Sequence, residues 1–165
     1  MLHVVLVNPE IHWNTGNAGR TCLAAGAQLH LVGRLGFSLD DREVRRAGLD
    51  YWERVKPRTW PDWDRFAENL PDLGEAFFFS AEGSRTFWDI RFPERAVLVF
   101  GCESTGLPAP LRERYAERLL RIPVQDGAVR SLNVSTAVGV VLYEVRRQHR
   151  HPLAGAGPEA TRLLP

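Results

Sequence analysis
Residues 122–144, IPVQDGAVRSLNVSTAVGVVLYE, narrow the choice of fold more than any other segment. A short strand ends at Ile122 and Pro123, a polar loop follows, and SLNVS opens a helix. Val134, Ala137, Val138, Val141, Leu142 and Val145 recur at the three-and-four spacing of one helix face. With Gly139 and Val140, the first half of this helix is apolar nearly all round, which places it inside the protein or in a subunit interface. Glu144, Arg146 and Arg147 return it to solvent. Ser131, Asn133 and Ser135 set hydroxyl and amide groups where the first N–H groups of a helix lack partners. They either cap this helix or line a ligand site at its mouth.

The rest of the chain alternates apolar strands with helical stretches. Residues 3–7, 28–32, 76–80, 96–100 and 120–122 read as strands, with a weak one at 54–56. Asn14 or Thr15 is expected to cap a helix running to Ala25 and stopped by Gly26. Ser38 and Asp41 resemble a capping box that starts a short helix to about Arg46. Further helices are predicted over 61–69 and 108–119, each with proline at its start. This alternation predicts an α/β fold with a mostly parallel sheet and helices on both faces. One domain is expected over residues 1–150, with 151–165, rich in Ala, Gly and Pro, as a flexible tail.

Charge gives no whole-molecule case for nucleic-acid binding: the net charge is +1, so any such contact needs local patches. Arg45 and Arg46 belong to one basic cluster and Arg147 to another, and either can touch phosphates or simply face solvent. Cys22 and Cys102 have no metal-ligand spacing, so no metal site is expected, and two thiols suit a reducing cytoplasm. No apolar run reaches membrane length, so a soluble cytoplasmic protein is expected. A dinucleotide fold would carry GxGxxG after its first strand, where this chain has Asn8-Pro9-Glu10. Gly16 and Gly19 open a helix, but no P-loop lysine follows them. The candidate ligand loops are therefore the late ones.

Three segments in order, NPEIHWNTGNAGRTC (8–22), VLVFGCESTGLP (97–108) and the 122–144 stretch, resemble the three motifs of the SPOUT methyltransferases, in their SpoU or TrmH-like branch. With RRAGLDYWE (45–53), they look most like the TrmL group, which methylates a ribose at the wobble nucleotide of tRNA. The resemblance implies a SPOUT fold with a deep carboxy-terminal trefoil knot, S-adenosyl-L-methionine as cofactor, tRNA as partner, and a homodimer whose active site draws on both chains. It implies 2′-O-methylation of cytidine or a modified uridine. The alternatives are methylation of another tRNA or rRNA ribose, and a non-catalytic knotted RNA-binding protein.

The resemblance also implies roles for particular residues. Phe79, Gly101, Glu103, Ile122, Val124, Ser131, Leu132 and Asn133 fall on the cofactor loops. Arg20, Asn14, Glu103 and Tyr143 are the implied catalytic set, with Arg20 also gripping RNA. A guanidinium holds its proton up to about pH 12, so Arg20 is expected to align the sugar and stabilise the oxyanion rather than act as base. Glu103 either meets the cationic end of the cofactor or orients a neighbouring loop. Glu10 either pairs with Arg20 or only decorates its loop. Tyr143 either meets RNA or packs in a dimer. His12 and Trp13 stand where relatives commonly carry two prolines, and Trp13 offers a surface for a base.

Overall fold
In the computed structural model, residues 1–39, 51–125 and 127–149 are described. Seven strands form one all-parallel sheet: β1 (Leu2–Val7), β2 (Ala27–Val32), β3 (Arg58–Trp60), β4 (Glu75–Phe79), β5 (Arg85–Thr86), β6 (Ala96–Phe100) and β7 (Leu119–Arg121). Their spatial order is β3-β2-β1-β6-β4-β7-β5. The α-helices among the described residues are α1 (His12–Ala25), α2 (Trp52–Val55), α3 (Trp63–Ala67), α4 (Leu70–Leu73), α5 (Ala109–Arg114) and α6 (Val134–His149).

Side chains alternate across each strand, so the apolar runs feed two cores. Leu2, Val4 and Leu6 of β1, Leu98 and Phe100 of β6, and Phe77 and Phe79 of β4 pack with Ala18 and Cys22 of α1 and the valine face of α6. Val5, Val7, Val97, Val99 and Phe78 pack on the other face with Trp63 and Phe66 of α3 and Leu111 of α5. Burial on both faces is why these strands read as continuous apolar runs rather than alternating ones.

Helices α1 and α6 lie against one another and are tied at both ends. Arg146 Nη2 donates to the carbonyls of Ala25 and Gly26, closing the carboxyl end of α1. Gly26 there adopts the left-handed conformation expected of a helix stop (φ 63°). At the other end, Asn133 reaches Asn14.

The second core holds a polar chain. Trp60 Nε1–H donates to His30 Nδ1 at 3.1 Å. The proton of neutral His30 therefore sits on Nε2, which faces His3 Nδ1 at 3.0 Å and donates to it. Burial pushes His3 down to about 4 and His30 to about 3, helped by the positive amino terminus near His3 and by Arg58 near both. The unfolded chain takes up these protons near pH 6.5, whereas the folded chain resists. Stability is thus full above pH 6.5 and falls by up to about 1.4 kcal/mol per pH unit per histidine below it. The urea midpoint is expected to drop steadily from pH 6.5 to 4; a midpoint flat from pH 7 to 4.5 would contradict the neutral buried pair.

Several local expectations need correction. The weak strand at 54–56 is instead the end of α2, closed by Lys56 at φ 44°, and the strand begins at Arg58. The helix expected over 61–69 is the shorter α3, whose Asp62 caps it by accepting from Arg65 N at 2.9 Å. The one expected over 108–119 ends at Arg114, followed by a tight turn, Ala116–Arg118. Helix α1 begins at His12, so Asn14 and Thr15 lie inside it, buried, rather than capping it. The Ser38–Arg46 helix falls largely, and the basic pair Arg45 and Arg46 and the tail 151–165 wholly, outside the described residues.

Candidate active site
Because the sheet is parallel, the loops leaving β1, β4, β6 and β7 all emerge at its carboxyl edge. Strand order reverses direction between β1 and β6, the place where open α/β sheets gather ligands. A cavity of about 680 Å³ opens there. Its walls include Phe79, Gly101, Glu103, Ile122, Val124, Ser131, Leu132 and Asn133, all eight residues expected on the cofactor loops, together with Asn14.

One wall is aromatic: Phe79 and Phe100 stack with centroids 4.8 Å apart and planes 13° apart. Ile122, Val124 and Leu132 supply further apolar surface, and Ser104, Thr105 and Ser131 supply hydroxyls. Apolar walls with a few polar groups suit a flat heteroaromatic ring carrying a polar tail. Gly101 has a reason within the chain itself. A Cβ there would sit 2.0 Å from the carbonyl carbon of Gly106, because the 101–106 turn folds onto itself through paired backbone hydrogen bonds between Cys102 and Gly106.

The polar groups form one connected network. Glu103 Oε2 accepts from Glu10 N at 2.8 Å, and Oε1 accepts from Ile11 N at 3.3 Å and Asn14 Nδ2 at 3.0 Å. Glu10 returns the contact, its carboxylate accepting from Ser104 N at 2.9 Å and Ser104 Oγ at 2.7 Å. The two loops are latched by an exchange of carboxylates. Glu103 supplies an acceptor to the start of α1, whose flanking Ile11 makes no side-chain cap of its own. Asn133 Nδ2 then donates to Asn14 Oδ1 at 3.0 Å. Its Oδ1 accepts from Ser135 N at 2.9 Å and Ser135 Oγ at 2.8 Å, capping α6. Capping and site-lining, alternatives in the sequence, are the same act for Asn133.

Comparison with known proteins bears on this site. The profile of the SpoU rRNA Methylase family matches residues 1–143. The chain belongs to the SpoU methylase family. It is 48% identical over 150 residues to the tRNA (cytidine(34)-2'-O)-methyltransferase of Burkholderia ambifaria, covering 90% of this chain and 96% of the relative. A protein of the same description from Acidovorax sp. is 45% identical, covering 90% and 93%. Among solved structures, one presented as structural insights into the 2-OH methylation of C/U34 on tRNA superposes with a TM-score of 0.85 at 46% identity, covering 91% of this chain and 97% of that one. An AdoMet-bound rRNA methyltransferase from Sinorhizobium meliloti gives 0.74 at 29% identity, covering 92% and 57%. Like these neighbours, this SpoU protein has a SPOUT α/β fold.

The remaining candidates of this SpoU chain that fall among the described residues lie away from the cavity wall. Arg20 is exposed on α1, its guanidinium carbon 5.3 Å from the centre of the Tyr51 ring. Glu10 does not pair with it, being engaged by Ser104. Tyr143 is 47% exposed on the outer face of α6, in line with Val140, which is 40% exposed. Arg147 is held by Glu144 through two hydrogen bonds of 2.7 and 2.8 Å, and the Glu144 carboxyl is drawn down to about 2 chiefly by that contact. Sequence reasoning passed over Glu82 and Arg112, which pair on the cavity wall, and Arg121 and Arg130. The usable signal was position: Glu82 follows β4, and Arg121 ends β7, at the carboxyl edge.

Proposed function
We propose that this chain is a methyltransferase that transfers a methyl group from S-adenosylmethionine to the ribose 2′-hydroxyl of the wobble nucleotide of tRNA. The carrying observation is the convergence of the three motif loops on one cavity, in a chain nearly half identical along its length to tRNA (cytidine(34)-2'-O)-methyltransferases. The donor-set chemistry fits the cofactor: stacked phenylalanines and Ile122, Val124 and Leu132 for the adenine, and the Ser104, Thr105 and Ser131 hydroxyls for the polar groups.

When bound, S-adenosylmethionine supplies an electrophilic methyl group on a positively charged sulfur. The chain's own residues provide position and electrostatics. Asn133 and Asn14 fix the mouth of the cavity, and Glu103, its oxygens occupied by α1, orients that helix rather than pairing with a cation. Arg20 holds an RNA phosphate and stabilises charge developing on the sugar oxygen.

A homodimer is part of the same reading. Thr136, Val140, Tyr143 and Arg147 recur on one exposed face of α6, and such a stripe supports a helix–helix interface. In that dimer, Arg20 of the partner subunit completes the cavity, and Tyr143 packs between the chains. The reading includes the trefoil knot, supported by β7 lying between β4 and β5 while α6 returns to α1. It also places the protein in the cytoplasm, which its free thiols suit.

The test is incubation of purified protein with S-adenosylmethionine and bulk tRNA, followed by nuclease digestion and mass spectrometry. One added methyl on the wobble ribose is expected. A methyl mapped to another nucleotide, or none on tRNA or rRNA, overturns the assignment.

A further inference from the structure
The indole of Trp13 is 56% exposed, although a ring this large normally finds cover in a folded chain. Its mount is rigid. Trp13 lies between Ile11 and Asn14, both on the cavity wall and both held by Glu103. His12 braces the ring edge-on, with centroids 4.7 Å apart and planes at 64°, and Phe37 in turn lies 6.4 Å from His12. The loop bearing Phe37 is itself pinned, since Gly36 N donates to Pro9 O at 2.9 Å and a Cβ on Gly36 would strike the Glu10 backbone. The same loop carries Arg34, exposed, whose backbone N–H donates to Asn8 Oδ1 at 3.0 Å.

Trp88 is also exposed, yet it shares no wall with the cavity; its neighbours include Arg147, already bound by Glu144. Among the described residues, Trp13 joins an open aromatic face to chain neighbours, Ile11 and Asn14, that line the cavity. A ribose delivered to that cavity brings its own base and the next one with it.

We propose that Trp13 is a stacking platform for an unpaired nucleobase of the tRNA loop, holding the RNA at the site in ground and transition state alike. The inference rests on the reading of the cavity as a ribose methyltransferase site and adds to it a residue that grips substrate without touching the reacting atoms. Stacking has no hydrogen-bond code, so Trp13 gives affinity and register rather than base identity.

The experiment measures binding of a fluorescently labelled anticodon stem-loop RNA by anisotropy, without cofactor, to wild type, Trp13→Ala and Trp13→Phe. Trp13→Ala is expected to weaken binding about tenfold and Trp13→Phe no more than about threefold, since a phenyl ring still stacks. In turnover, Trp13→Ala raises KM for the RNA by the same factor and leaves kcat within about twofold, the signature of uniform binding. A loop RNA made abasic at the stacked position binds wild type as weakly as intact RNA binds Trp13→Ala, and the two losses do not add. Trp13→Ala binding within twofold of wild type overturns the proposal. So does a Trp13→Ala protein that sediments as a smaller species, which makes Trp13 a subunit contact. Because affinity is read without methyl transfer, a wild type that binds the hairpin but methylates nothing refutes the activity and leaves the stacking measured.

Discussion

Arg20→Ala is expected to lower methyl transfer by about a thousandfold or more while S-adenosylmethionine binds within about tenfold of wild type. The split follows from where the residue sits. Arg20 lies on the exposed side of α1 over Tyr51 and forms no part of the cavity wall in its own chain, so its removal leaves the cofactor surfaces untouched. If it works in the neighbouring subunit's cavity, two inactive proteins should rescue one another. Arg20→Ala and Asn133→Ala chains, unfolded together and refolded at equal concentration, form mixed dimers in which one cavity has both an intact wall and an intact guanidinium. About a quarter of wild-type activity should return, since half the dimers are mixed and each has one working site. No recovery, with mixed dimers demonstrated, means that Arg20 serves its own chain. Equal losses of transfer and cofactor affinity would make it a support for the pocket.

Glu103→Ala is expected to cost about 2–3 kcal/mol of stability and to reduce transfer about a hundredfold, because one carboxylate accepts from two backbone amides and Asn14. The more telling variant is Glu103→Gln. It preserves shape, but one of its two terminal atoms becomes an NH₂ group facing N–H donors, so the latch opens almost as fully as with alanine. Amide hydrogen exchange at Glu10 and Ile11 should accelerate in both variants. A Gln variant with wild-type transfer and protected amides would show that the charge and the second acceptor are dispensable there.

The sequence exposed those parts of the fold whose causes are local. Strands β1 and β6 are buried on both faces and therefore appear as unbroken apolar runs, and α6 shows its valines at helical spacing. Edge strands were less legible: β3 has two exposed residues and β5 is only two residues long, so neither has a buried face to impose alternation. The start of α1 was misplaced for a different reason. Its capping acceptor is Glu103, 92 residues from Ile11, and no window around Asn14 contains it. The loops expected to hold a cofactor could be placed from their motifs, and the structure gathers their candidate residues at one cavity. Which of them touch one another could not be read, since the Glu10–Ser104 and Asn14–Asn133 contacts join loops far apart in the chain. Arg20 was expected at the reacting sugar from its motif; helical geometry turns it to the exposed side of α1, off the cavity wall of its own chain.

The double fastening of α1 to α6, by Asn14 with Asn133 at one end and by Arg146 with the last carbonyls of α1 at the other, makes the pair respond as one body. The loop before α6 forms one wall of the cavity, while α1 carries Trp13 and Arg20. If a nucleoside bound at the first shifts the second, linkage runs equally in reverse: nucleic acid seated on α1 changes the affinity for the methyl donor by the same factor as the donor changes that for nucleic acid. Under the proposed activity, such a coupling leaves the order of binding free and sets only how strongly one substrate answers the other.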